Sequence, residues 1–166
     1  TSDSSLPSDI TIDVPAGSYK IHFPPGKLRI HGLGSCIAVA LYSRVDSIGA
    51  LTHAMLPDYS SGIDKTNPDK YVDSSTKRLI EEMISRGIKK YNLKAKIVGG
   101  AQMFSFLPKN SFDIGKRNIE MARKILLHEN ITVIAEDTGG NSGRSVLFDL
   151  TDYSIKIKTT STVYNI

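Results

Sequence analysis

The chain has 166 residues, 40% of them hydrophobic and 23% charged, with a formal net charge of +4. That length buries a core without staples, and that composition excludes a mainly disordered chain. The single cysteine excludes an intramolecular disulfide and a Cys-only zinc site and fits a reducing, cytoplasmic compartment; no apolar run approaches the roughly 18 residues of a membrane span, and no secretory signal is expected.

Residues 1–9, TSDSSLPSD, read as a flexible tail ahead of one folded domain over 10–166. Ile10, Ile12 and Val14 alternate with polar residues, the period of a strand, and Leu28 and Ile30 suggest another. Gly32-Leu33-Gly34-Ser35-Cys36 is a bend punctuated by glycine. The run 37–42 predicts a buried strand and 48–55 a second, joined by a hairpin loop from Arg44 to Ser47. Residues 57–68 read as loop, with Asn67 as a cap and Pro68 at the first helical position. Val72, Thr76, Leu79, Ile80, Met83 and Ile84 share a helical stripe that Gly87 ends. Leu93, Ala95 and Ile97 alternate as a strand ending at Gly99-Gly100. Ile119, Ala122, Ile125 and Leu126 mark a second helix near 115–128, and Ile131 to Ala135 a further strand. A Gly-rich loop over 136–144 precedes a closing hairpin of 146–148 with 155–157. About seven strands and two helices result, an α/β fold of mixed, largely antiparallel sheets with the helices packed on one face.

The cations gather in two stretches: Lys77, Arg78, Arg86, Lys89, Lys90, Lys94 and Lys96, then Lys109, Lys116, Arg117, Arg123 and Lys124. Both overlap predicted helices and are interrupted by Glu81, Glu82, Glu120 and Glu129. They read as solvated helix faces; the alternative is a surface that attracts an acidic protein partner. No recognition motif accompanies the charge, so nucleic acid is not an expected partner.

Cys36 poses the chemical question. A lone cysteine is ordinarily a small buried hydrophobe. This one follows Gly-x-Gly-Ser, where the backbone N–H groups of Gly34, Ser35 and Cys36 can converge. Such a nest favours an anion, lowers a thiol pKa and holds an oxyanion. The glycine spacing is not that of a dinucleotide fingerprint, and no Walker lysine follows. A cysteine nucleophile needs a base. His128 lies near a helix end beside Glu129, His22 precedes Phe23-Pro24-Pro25 in apparent loop, and His31 lies across the bend. His53 ends the strand antiparallel to the one that Cys36 opens, so hairpin topology alone brings it beside Cys36. A satisfied core histidine is the bland alternative.

GLGSC, then His53 in ALTHAMLPD, then IVGGAQMF, DIGKRN and AEDTGGNSGRSV form an ordered series over residues 28–157. The series resembles the CheD family, the chemoreceptor glutamine deamidases of bacterial and archaeal chemotaxis. The resemblance implies a three-layer α/β sandwich similar to that of deamidating toxins. It implies hydrolysis of selected receptor glutamines to glutamate and ammonia, in some members also of glutamyl methyl esters. It implies Cys36 as nucleophile, His53 as base, and no metal or organic cofactor. The implied partners are the cytoplasmic helices of a methyl-accepting chemoreceptor and a CheC-type phosphatase, whose activity the family increases and whose contact competes with the receptor.

One position departs from the family. Its catalytic threonine lies six residues before the cysteine, where this chain has Ile30, which has no hydroxyl. Either His31, Ser35, Thr52 or another group substitutes, or activity is reduced. The alternative function is a regulatory module that binds and stimulates the phosphatase while deamidating slowly or not at all. A generic cysteine hydrolase of small amides or esters is a third reading. Elsewhere, Gly99-Gly100 reads as a close backbone approach, Asn118 as an amide bonding a loop, and Asp137 with Arg144 as a pair across a tight loop. Met103, Phe104 and Phe106 are either core or an exposed partner patch.

Overall fold

The computed structural model describes residues 9–103 and 113–166. Its strands form two five-stranded sheets. The first holds, in spatial order, β1 (Ile10–Asp13), β3 (Gly26–Leu33), β8 (Arg144–Asp149), β9 (Ile155–Lys158) and β10 (Val163–Asn165). The second holds β2 (Ser18–His22), β5 (Ile48–His53), β4 (Ile37–Ser43), β6 (Lys94–Gly99) and β7 (Thr132–Thr138). The β1–β3 and β6–β7 pairs are parallel and the others antiparallel.

Period-two alternation in the first sheet turns Leu28, Ile30, Val146, Phe148, Ile155 and Ile157 inward, leaving Lys156 and Lys158 outside. The inward side chains meet Ala38, Ala40, Tyr42 and Val98 of the second sheet in one apolar layer. The opposite face of the second sheet presents Val39, Leu41, Ala95 and Ile97. There it packs against α1 (Val72–Ser85) and α2 (Ile114–His128) through Leu79, Ile80, Met83, Ala122 and Leu126. The second sheet is therefore covered on both sides, which is why β4 and β5 read as unbroken apolar runs. Sheet, sheet and helices make the expected three layers.

Several local expectations hold. Asn67 Oδ1 accepts from Asp69 N while Pro68 opens a 3-10 turn ahead of α1. Gly87 ends the α1 region at φ +94°. Others change. Ile84 is 44% exposed because it lies one residue, about 100° of helix, beyond Met83 on the buried stripe. The sequence reading omits β2 and β10. SYKIH carries few apolar residues, and β10 is exposed throughout. His22 thus closes a strand rather than sitting in a loop. Strand β7 runs on to Thr138, into the stretch expected as Gly-rich loop. Lys96 is not a solvated helix cation: it lies on β6, buried, with Nζ donating to the Tyr153 carbonyl at 2.8 Å and to Ile166 O at 3.0 Å. Of the expected tail only Asp9 is described, and it pairs with Lys27 at 2.6 Å. Phe104, Phe106 and Lys109 lie outside the described residues, while Met103 is half-exposed.

Candidate active site

The β4–β5 register brings Cys36 and His53 together. Ala40 faces Leu51, and Ile37 and Ala54 exchange both backbone hydrogen bonds at 3.0 Å. Continuing that pairing sets Cys36 opposite Met55 and Ala38 opposite His53, all four on one face of the sheet. Cys36 and His53 are then diagonal neighbours, a relation that puts Cα atoms about 7–8 Å apart with side chains in reach. The shared face is the one toward the first sheet. Cys36 packs half-buried against that inter-sheet layer, and His53 is buried with 7% of its surface exposed. A cleft of about 350 Å³ opens there, lined by Val14, Ile30, His31, Gly32 and His53 among others.

The ring of His53 is held by a group that the sequence reading did not foresee. His53 Nδ1 lies 3.0 Å from the Val14 carbonyl oxygen. A carbonyl only accepts, so Nδ1 carries the hydrogen and Nε2 is the free base of the neutral ring. The turn between β1 and β2 makes this possible. Val14 N donates to Arg29 O and Gly17 N donates to His53 O, each at 2.8 Å, so the turn is fixed at both ends. Because β2 escapes the sequence pattern, so does this turn. Ile30 fills the neighbouring position with hydrocarbon, 2% exposed. Of the three groups weighed as substitutes for a hydroxyl, Thr52 and His31 are engaged elsewhere, and Ser35 is held by its backbone carbonyl. Thr52 Oγ1 accepts from Val39 N, the Ser35 carbonyl accepts from Asn118, and His31 is exposed, 3.2 Å from Asp13.

Burial governs both titrating groups. It pushes the Cys36 thiol above its ordinary pKa, opposed in part by the residue's own N–H. It pushes His53 below its ordinary pKa, opposed in part by the Val14 carbonyl. The nest was expected to lower the thiol; desolvation outweighs it in the free protein. Burial thus disfavours the charged form of each group.

The turn that carries Cys36 rests on its neighbours' backbone. Gly100 N donates to Cys36 O at 2.8 Å and Ala101 N to Gly34 O at 2.9 Å. Gly99, at φ +113°, has no room for a Cβ, which would collide with Cys36 O. The Gly-rich loop supports this layer in turn, Gly139 N donating to Gly99 O and Gln102 N to Gly140 O. Arg144 pins that loop through the expected pair with Asp137 and through the carbonyls of Asp137 and Gly139. Among the described residues the Gly34 and Ser35 amides donate to no protein acceptor, so they are available to an incoming oxyanion. A second cleft, about 460 Å³, lies on the helix side between the 56–62 loop and α2; neither Cys36 nor His53 lines it.

A family model described as CheD chemotactic sensory transduction matches residues 55–159. The chain belongs to the CheD family. A Clostridium botulinum relative is 48% identical over 135 residues, covering 81% of this chain and 83% of that protein. One from Clostridium novyi is 43% identical over 149 residues, 89% and 92% of the two chains. One from Pyrococcus abyssi is 38% identical over 147 residues, 89% and 90%. Each of the three bears the name probable chemoreceptor glutamine deamidase CheD. The segment matched by the family model begins two residues after His53, whereas the alignments to the three relatives are long enough to span both Cys36 and His53. Among the described residues no helix is long and apolar enough to cross a membrane.

Proposed function

We propose that this CheD-family chain is a cytoplasmic chemoreceptor glutamine deamidase acting in chemotaxis adaptation through one CheD-like domain over residues 10–166, with Cys36 as nucleophile, His53 as base and Ile30 holding no catalytic role. The observation that carries the reading is the bond from His53 Nδ1 to the Val14 carbonyl. It supplies the orientation that the missing threonine would give, through a backbone acceptor.

The chemistry runs on these groups. Cys36 Sγ attacks the side-chain carbonyl carbon of a glutamine while its proton passes to His53 Nε2. The amides at Gly34 and Ser35, with that of Cys36, receive the developing oxyanion. The imidazolium then gives its proton to the departing nitrogen, and ammonia leaves a thioester on Cys36. His53 next takes a proton from water, the hydroxide attacks the thioester, and glutamate and the free thiol are released. Val14 O holds the ring through both steps and steadies its charged form. No step calls for a metal or organic cofactor.

The test is intact-protein mass spectrometry of a receptor cytoplasmic fragment incubated with wild-type protein and with Cys36→Ala. A gain matching replacement of NH₂ by OH, mapped to glutamine and absent with the variant, is expected. Equal conversion by both proteins overturns the reading. A CheC-type phosphatase is the second proposed partner. Its co-purification with Cys36→Ala, and its release by excess receptor fragment, are the expected outcomes.

A further inference from the structure

Asn118 sits on α2 with no solvent exposure, and its amide is not spent within its own helix. Nδ2 donates to Ser35 O at 2.8 Å and to Met55 O at 3.1 Å. Those carbonyls belong to different strand ends. Ser35 immediately precedes Cys36, and Met55 follows His53 by two residues.

The place matters. The β4–β5 ladder stops at the Ile37–Ala54 rung. The next bonded rung would join Ser35 to Leu56, but Leu56 turns away. Its N–H donates to Lys70 O and its carbonyl accepts from Val72 N. The two strands separate where the chemistry is, and Asn118 closes the gap from the helix layer with one donor to each strand. Among the described residues its own Oδ1 is buried without a partner. A buried acceptor left unsatisfied is a cost that a residue serving only packing would avoid, since an apolar side chain of that size carries none. The helix is also seated tightly on the turn's supports: a Cβ at Gly115 would collide with the Ala101 carbonyl, and Ala101 N holds Gly34 O.

We infer that Asn118 is a positioning residue for the deamidation. Its two hydrogen bonds set the approach of Cys36 to His53 by tying the turn before the nucleophile to the segment after the base. The inference rests on the Cys36–His53 reading above. Displacements of about 1 Å in such a pair cost on the order of 10²-fold in rate.

The test is Asn118→Leu, which keeps the branched heavy-atom shape and removes both donors. Two quantities are measured: steady-state deamidation of a receptor fragment, and the pH profile of Cys36 alkylation by iodoacetamide, compared with His53→Ala. Expected are a fall in kcat of about 100-fold with KM within about twofold, and an alkylation profile that loses its His53-dependent limb. A cooperatively folded variant that keeps kcat within about twofold, or keeps that limb, overturns the inference. If Asn118→Leu does not fold, Asn118→Gln retains the amide but displaces it by one methylene, and the same losses or their absence decide. Alkylation needs no receptor. A wild-type protein that fails to deamidate overturns the proposed function, while the alkylation profile still decides the role of Asn118.

Discussion

The layer between the two sheets ends in two different ways. Strand β4 crosses it, with Cys36 just before one end and Tyr42 near the other, about 20 Å apart at strand rise. At the far end Tyr42 stacks on Tyr153 with centroids 4.8 Å apart, Phe148 meets Tyr42 edge-on at 6.0 Å, and Arg44 lies over both tyrosines. Lys96 is buried there and its pKa is held down, first by desolvation and then by Arg44. At the near end His53 and Cys36 are perturbed by desolvation as well. Perturbed groups therefore mark both ends, and perturbation alone does not tell a site from a structural cluster. The difference is where the polar atoms go. Lys96 Nζ finds two carbonyls within the fold. His53 Nε2 bonds no described residue, and His53 lines a cleft.

Four substitutions and one pH profile test that contrast. Cys36→Ala is expected to lower deamidation by about 10⁴-fold or more, read as ammonia release, while its unfolding midpoint stays within a few degrees of wild type. A large loss of stability instead would make Cys36 a core residue. His53→Ala is expected to cost about 10²-fold or more in kcat. In the wild type, kcat/KM against pH should be bell-shaped. Burial disfavours the imidazolium, so the neutral base survives to lower pH and the acid limb falls below the ordinary histidine pKa. Burial also disfavours the thiolate, so the alkaline limb lies above the ordinary thiol pKa. His53→Ala should lose the acid limb. At the far end, Lys96→Met should leave kcat unchanged but orphan two carbonyls, lowering unfolding free energy by about 1–3 kcal/mol in a denaturant titration. Ile30→Thr is expected to keep kcat within about threefold of wild type, with a modest stability loss from a hydroxyl placed in the apolar layer. A tenfold rise in kcat would show that the Val14 carbonyl does not replace the hydroxyl.

What could be read from sequence follows from what leaves a side-chain signature. The buried runs of β4 and β5, the stripes of α1 and α2, and the hairpin logic that pairs Cys36 with His53 all depend on side-chain type and period. Asp137 with Arg144 and the loop-bonding amide of Asn118 were legible for the same reason, although the two carbonyls that Asn118 reaches were not. Lys96 was misread because its stretch of cations straddles a helix end, a loop and a buried strand, and charge density in sequence does not resolve that change of element. Strand β2 was missed because SYKIH is held by pairing with β5, from Ser18 beside His53 to His22 beside Gly49, rather than by an apolar pattern of its own. With β2 went the turn that carries the acceptor for His53, and a peptide carbonyl has no letter in the sequence.

That last feature has an evolutionary consequence. Every residue type brings a carbonyl, so no point substitution at Val14 deletes the acceptor, and the position can drift among side chains that fit the layer. Insertion or deletion of one residue between Val14 and Ser18 is another matter, because it shifts the carbonyl away from the imidazole or turns it to the other face of the strand. The heritable quantity is the length of the turn, not its spelling. On the proposed reading, a comparison that scores three catalytic side chains would count Ile30 as a lost activity, although the main-chain carbonyl of Val14 contacts the His53 ring.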